Sequence, residues 1–347
     1  MKKTVLFSIV TLLMISCVPL LLVSCESETR YARNFVLTNE QKVMVENSNL
    51  FSLELFQKAC ESEAKGKNIF ISPLSVSIAL SMAANGADTE TLDEMMDVLG
   101  FGGYDIQDGD EFYQILLQSI TKLDNTSKFK IANAIWADDE ISLLEDYKNA
   151  CKKYFAAILE TIDFSDVDYC IDHINQWGKQ HTDGLIPKIV DESIVTPDVA
   201  VMIANAIYFK SKWAKQFDKN DTQDKTFHNF DGTTSTVPMM SLKDNEFKVG
   251  YFDDARVLEM DYKGGKYCMD IILPNKNDEF DEFIRKLDGK KLGNYLENGN
   301  EEKVYIEIPK FELKYNIGMA ELLQDMGMER AFTPIADFSK MSDEQIQ

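Results

Sequence analysis

Apolar residues recur at helical spacing through the first half of the chain and alternate, or run on unbroken, through the second. Phe51, Leu55 and Ala59 lie four apart with Phe56 alongside, which predicts a helix over residues 39–64 with one buried face, broken at Gly66. Residues 69–71 read as a short apolar strand. Ser72-Pro73 then opens a helix, because serine caps well and proline suits the first helical position. That helix, residues 74–84, is apolar on nearly every side, the mark of an interior helix, and Gly86 closes it. Leu92, Met95, Met96 and Leu99 give the next helix, with Gly100 at its stop. Val167, Ile171, Ile174 and Trp177 form another helical row, ending near Gly184.

The later segments change period. Residues 200–209 are a near-continuous apolar run broken by Asn205, which suits a strand covered on both faces. Asp231-Gly232 is a hairpin signal between residues 227–230 and 233–240. Leu258, Met260 and Tyr262 alternate with Glu259 and Asp261, predicting a half-buried strand, and Gly264-Gly265 turns the chain into another over residues 267–273. Val304, Ile306 and Ile308 alternate, and so do Phe311, Leu313 and Tyr315. Met319, Leu322, Leu323 and Met326 give a late helix stopped at Gly327. No internal repeat or low-complexity tract stands out. Helices dominate first and strands later within one chain, so the fold class is α+β, helices packed around large, mainly antiparallel β-sheets.

Composition narrows the function. The 347 residues carry 36 Lys plus Arg against 58 Asp plus Glu, a net charge of −22. A surface this acidic argues against nucleic acid as a partner, since displacing counterions requires cationic side chains. Hydrophobic residues at 45% and charged residues at 27% are globular values and exclude wholesale disorder.

The first residues read as an address. Lys2 and Lys3 precede an apolar run over residues 5–23 that ends in Leu22-Val23-Ser24-Cys25, the pattern of an export signal. A cysteine directly after Leu-Val-Ser resembles a bacterial lipobox. The expectation is a lipoprotein signal over residues 1–24, lipid attachment and membrane anchoring at Cys25, and a polar tether over residues 25–37. A plain signal for secretion and an uncleaved anchor are the other readings of this run.

Catalytic chemistry is sparse. There is no G-x-S-x-G elbow. His173 and His181 are eight residues apart, too far for one helical zinc face, and His228 is isolated. Cys60, Cys151, Cys170 and Cys268 match no C-x-x-C pair, and buried thiols are preferred over disulfides, which an exported chain could still form. Asp138-Asp139 and Asp253-Asp254 fall in predicted turns, as solvated pairs or, more rarely, calcium ligands. The expectation is no enzyme, no cofactor and no metal.

Several long motifs, in order over residues about 40–340, resemble the serpin family. Residues 68–99, from Asn68-Ile69-Phe70-Ile71-Ser72-Pro73-Leu74-Ser75 through Gly86-Ala87-Asp88-Thr89, are similar to a B-sheet strand and helix B. Ile174-Asn175-Gln176-Trp177 with Thr182-Asp183-Gly184-Leu185-Ile186 resembles helix F and its exit. Ala204-Asn205-Ala206-Ile207-Tyr208-Phe209 through Lys212-Trp213 resembles strand 3 of sheet A, and Ile308-Pro309-Lys310-Phe311 the entry to strand 6. The resemblance implies a monomeric suicide-substrate inhibitor of serine or cysteine proteases, in which a cleaved reactive loop inserts into sheet A as a new strand.

On the same resemblance Ser72, Ser75 and Asn205 match the shutter beneath that sheet, and Trp213 and Lys310 match the breach where the loop enters. Plainer readings stand beside these: a helix N-cap for Ser72, a small contact residue for Ser75, a bulge or sheet-edge contact for Asn205, a core anchor for Trp213, a surface charge for Lys310. The residues after 340 hold no Gly-Thr-Glu hinge, and no reactive-centre P1 residue can be named. The expectation is therefore an incomplete serpin domain over residues 38–347, lacking strand 5 of sheet A, the reactive loop and the final strands, and unable as written to inhibit by insertion. A non-inhibitory binding or carrier protein on the same fold is the alternative; a cell-surface hydrolase is remote.

Overall fold

A computed structural model describes residues 4–7, 37–276, 279–344 and 346. Cys25, the tether up to residue 36 and most of the leader lie outside the described residues. In chain order the elements begin with strand β1 (Thr4–Phe7) and helices α1 (Asn39–Ser62), α2 (Pro73–Ala84), α3 (Thr89–Val98) and α4 (Ile106–Ile120). Strand β2 (Lys128–Asp138), helix α5 (Glu145–Phe155), strand β3 (Ile158–Ile162), helix α6 (Val167–His181) and strand β4 (Val199–Lys210) follow. The rest comprises β5 (Gln223–His228), β6 (Thr234–Tyr251), β7 (Ala255–Asp261), β8 (Cys268–Pro274), α7 (Phe280–Arg285), α8 (Gly289–Glu297), β9 (Asn300–Pro309) and α9 (Ala320–Asp325). This is the α+β class that the periodicity predicts.

Local chemistry sets the helix boundaries. Thr38 and Gln41 form a reciprocal capping box that starts α1. Ser72 caps α2 by accepting the Ser75 N–H at 3.2 Å, and Pro73 takes the first position. Every residue from 75 to 84 is buried, so α2 is the interior helix that its all-round apolarity requires. Helices α4 and α5, with strands β2 and β3, are not among the predicted elements. Their signals were present: Phe112, Leu116, Leu117 and Ile120 recur on the face of α4 that packs on the core.

Two sheets organise the strands. The first is mixed, in the order β1-β4-β2-β3. Strands β2 and β4 pair antiparallel over ten residues, β2 and β3 pair parallel, and β1 runs parallel to β4 from Val199 to Ile203. Beyond Ile203 no strand lies on that side of β4 among the described residues. The second sheet is antiparallel, β5-β6-β7-β8, with β9 on β6.

Strand β4 is covered on both faces. Val201 and Ile203 face α2 in the larger core, while Met202, Ala204 and Ala206 face Trp136 of β2 and Trp177 of α6. Each large aliphatic side chain fully buried there contributes roughly 1.5–3 kcal/mol, which is why the run is nearly all apolar.

Several expectations are corrected. Residues 69–71 and 310–319 form no strand. Lys310 N–H still donates to Pro238 O at 2.8 Å, but beyond it no described strand runs alongside, and alternation alone cannot make a strand without a partner. Glu259 is 8% exposed and does not face solvent: Lys248 pairs with it at 3.0 Å and also donates to Leu296 O of α8, which covers that face. Asp138 is likewise buried at the end of β2 and accepts N–H groups from Glu140 and Phe164, so it is no solvated turn. A short internal repeat does exist. Residues 131–135 and 203–207 share the sequence Ile-Ala-Asn-Ala-Ile and pair antiparallel about Asn133 and Asn205.

Helix α5 ends on Ala156 at φ 51°, a left-handed position that favours glycine. Ala156→Gly should stabilise the fold by about 0.5–1 kcal/mol, read as a rise in the urea midpoint at unchanged slope. An unchanged or lowered midpoint would show that the Cβ costs nothing at this cap.

Candidate functional site

The face of the first sheet toward α2 carries a chain of buried polar side chains inside an apolar core. Asn205 lies in the middle of β4 at 0% exposure, with Ser75 at 1% and Asn133 at 4%. Ser75 Oγ donates to Asn205 Oδ1. Asn205 Nδ2 donates to Asn133 Oδ1 at 2.7 Å, and Asn133 Nδ2 donates to Phe155 O at 2.7 Å. Ser72 joins through its cap on Ser75 N–H. Every link answers the same physical demand: a buried amide or hydroxyl left unpaired costs about 1–3 kcal/mol. The chain ties the start of α2 through β4 and β2 to the end of α5.

The residues expected for the shutter, Ser72, Ser75 and Asn205, are therefore brought together. Asn205 is a sheet-interior residue, and no bulge interrupts the β2–β4 register around it. Asn133 is a further member. Its signal was legible, since it centres the same pentapeptide as Asn205 and sits opposite it.

Trp213 and Lys310 also meet. Both line a hollow of about 580 Å³ past the end of β4, with Phe217, Gln216, Lys212 and Lys219. Trp213 bridges to Tyr262, and the two rings stack 4.4 Å apart at 11°. Backbone bonds from Ala214 N to Asp261 O and from Lys263 N to Lys212 O fix this turn on β7. Trp213 is thus an anchor and a wall of the hollow at once, and Lys310 adds an exposed cation to a hollow that three lysines make electropositive.

Helix α6 closes the opposite face. Trp177 meets Trp136 edge-to-face at 5.4 Å. Asn175 holds the chain after the helix by accepting from Ile189 N and Val190 N and donating to Val190 O. Asp183 takes both Lys128 and Lys130 of β2, which hold its carboxyl down at about 2. His173 pairs with Glu160 at 2.7 Å, and His181 lies against the Trp177 ring, so neither is a bare surface imidazole.

The four described cysteines, Cys60, Cys151, Cys170 and Cys268, carry thiols. Burial pushes Cys60 up to about 11 and Cys151 up to about 12, which keeps them protonated and poor nucleophiles. Two clusters elsewhere could each offer three ligand atoms to a cation: Glu259, Cys268 and Asp270, and Asp138, Asp139 and Asp163. Lys248 already occupies Glu259 in the first, and backbone N–H groups engage Asp138 in the second. No helix among the described residues is long and apolar enough to cross a membrane.

These features define an α+β protein whose main sheet is braced from beneath by a buried polar chain and, among the described residues, keeps part of one inner strand edge without a strand beside it. The chain belongs to the serpin family: residues 46–347 match the family model described as serpin (serine protease inhibitor). It is 34% identical over 305 residues to an uncharacterised serpin-like protein of Thermococcus kodakarensis, covering 88% of this chain and 70% of that one. It is 32% identical to leukocyte elastase inhibitor A of Mus musculus over 85% of this chain and 79% of that one. The structure of emu ovalbumin superposes with a TM-score of 0.82 at 26% identity, covering 87% of this chain and 82% of that one. Serpins are in general inhibitors of proteases rather than enzymes.

Asn205→Ala should cost about 1–3 kcal/mol for each buried group it leaves unpaired, at Ser75 and at Asn133. The double variant Asn133→Ala/Asn205→Ala should cost less than the sum of the singles in urea unfolding. Strict additivity would mean that the two amides do not act as a pair.

Proposed function

We propose that this protein inhibits serine-type endopeptidases, or papain-like cysteine peptidases, as a suicide substrate, and that residues 38–347 supply the receiving sheet. A cleaved loop joins β4 as a new strand along the part of its edge past Ile203, where pairing with β1 ends. The acyl-enzyme bond formed by the peptidase's own nucleophile then carries the enzyme with it. What supports the reading is one arrangement: β4, hydrogen-bonded from below through Asn205, has no strand beside it beyond Ile203 among the described residues and ends at the cationic hollow of Trp213 and Lys310. Strand addition satisfies a row of edge N–H and C=O groups at once, and the lysines suit an acidic residue at the front of the entering segment. The reactive bond is not assigned to any residue of the chain.

The second reading, a non-inhibitory carrier, draws on a cavity of about 640 Å³ where Phe56, Ile69, Phe280, Ile284 and Leu313 share the wall with charged residues, among them Glu61, Lys65 and Arg285. Incubating the protein with trypsin, subtilisin, elastase and papain separates the two. An SDS-stable complex with at least one enzyme is expected. No complex with any of them, together with tight binding of an apolar fluorophore, would favour the carrier.

The same proposal places the protein outside the cytoplasm, held to a membrane by lipid on Cys25. Labelled palmitate should be incorporated and Cys25→Ala should release the protein to the soluble fraction. Equal anchoring of the variant would discard the lipid.

A further inference from the structure

Helices α2, α4 and α5 meet behind the first sheet around a carboxyl group with no cation bonded to it. Asp110 of α4 is 2% exposed. Its Oδ1 accepts from Asn85 Nδ2 at 2.8 Å, and Asn85, which caps the end of α2, also donates to Ser81 O at 3.0 Å. Helix α2 presents only neutral groups here, Ser77, Ser81 and Asn85. Helix α5 presents Tyr147, Cys151 and, at the rim, Lys153, whose ammonium is engaged by Tyr154 OH at 2.7 Å. Helix α4 itself adds Tyr113 and Glu111, the latter accepting from Gln107.

Ser81, Tyr113 and Tyr147 add buried hydroxyls, Tyr113 beside Ser77 and Ser81 and Tyr147 beside Cys151. The junction therefore surrounds one acid with neutral hydroxyls and a thiol, and the nearest cation, Lys153, stands only at its rim. An ionised carboxylate in such a place loses its hydration without gaining a counter-charge. Burial pushes the Asp110 carboxyl up to about 7; Asn85 and Lys153 pull against this, and Glu111 adds to it. Tyr113 and Cys151 are both pushed up to about 12, and Tyr147 is raised well above the ordinary tyrosine value, all by burial first. Asp110 is thus the junction's interior group that changes charge near neutrality.

We propose that the α2–α4–α5 junction is a proton-operated latch: Asp110 holds the three helices together as a neutral, hydrogen-bonding acid, and loss of its proton loosens α4 and α5 from the end of α2. Because α2 is one continuous helix, the latch sits roughly 15 Å along it from Ser75, on the element that also props the sheet through Asn205. The latch does not depend on the inhibitory reading, since it is read in folding and amide exchange and not in peptidase binding.

The direction follows from linkage. The folded-state carboxyl binds its proton more tightly than in the unfolded chain. Its contribution is complete below the ordinary aspartate range of about 4 and is lost as pH rises to about 7, with no further loss above that. The loss is up to tenfold in the folding constant per pH unit, because one proton is involved.

The test is urea unfolding, with mass-spectrometric amide exchange corrected for intrinsic rates, on the intact chain between about pH 5 and pH 8. It compares the natural protein with Asp110→Asn and Asn85→Ala. The natural protein should lose stability relative to Asp110→Asn by up to about tenfold per unit up to neutrality and then run parallel to it. Exchange should rise first in α4 and α5. Asn85→Ala should move the transition to higher pH, since it removes the donor that favours the ionised form. Equal pH slopes in the natural protein and Asp110→Asn, or exchange rising equally in β2 and β4, would overturn the latch. If Asp110→Asn does not fold, Asn85→Ala decides alone, and an unmoved transition overturns it.

Discussion

The pairing of two amides across β2 and β4 is the constraint on which the rest of the main sheet depends. Asn133 and Asn205 lie directly opposite each other in a dry interior, and each has hydrogen-bonding capacity that only a specific neighbour can meet. Asn205 needs a donor from α2, which fixes how deep and in which rotation that helix lies. Asn133 needs the last carbonyl of α5, which fixes where that helix stops. A slip of one residue in the β2–β4 register would turn one of the two amides to the α6 face, into an apolar layer of tryptophan and methionine, and leave the other without its partner. Hydrophobic burial makes the layers cohere, but it is non-directional. The amides make one register and one helix position better than the alternatives.

The same arrangement leaves the sheet braced unevenly. Beneath it, α2 is tied by Ser75. Above it, α6 is tied by Trp177, Asn175 and Asp183. Along β4, pairing with β1 ends at Ile203, and past the strand end the chain turns into a hollow walled by Trp213 and lined by lysines. A sheet fixed on both faces and less so along an inner edge is suited to gaining a strand, because the faces keep its twist and register while the edge supplies unpaired backbone groups. The serpin relationship and the local physics meet at this point without depending on each other. The polar chain and the cationic hollow are observations on this chain, and the family gives them a common use.

Charge is distributed to match. The chain is strongly acidic as a whole, yet Lys212, Lys219 and Lys310 gather at one hollow, and Lys128 and Lys130 converge on Asp183. Most other ion pairs are exposed and contribute little to stability. Lys248 with Glu259 is the more buried case, where the pair allows an acidic residue beneath α8.

Amino-acid order by itself determined the helical first half, the interior character of α2, the doubly covered β4 and the polar residues Ser75 and Asn205 that had to find partners, because periodicity and the cost of unpaired polar groups act locally and leave a mark at each position. It did not determine that the two identical pentapeptides would face each other, that Glu259 and Asp138 would be buried, or that Phe311, Leu313 and Tyr315 would stay out of a sheet. It also left α4 and α5 unread, although α4 carries the buried acid at the end of α2. Those outcomes were decided in three dimensions. A strand exists only beside another strand, and a carboxyl group is buried or solvated according to what packs over it, so neither property belongs to a segment until its neighbours from distant parts of the chain are in place.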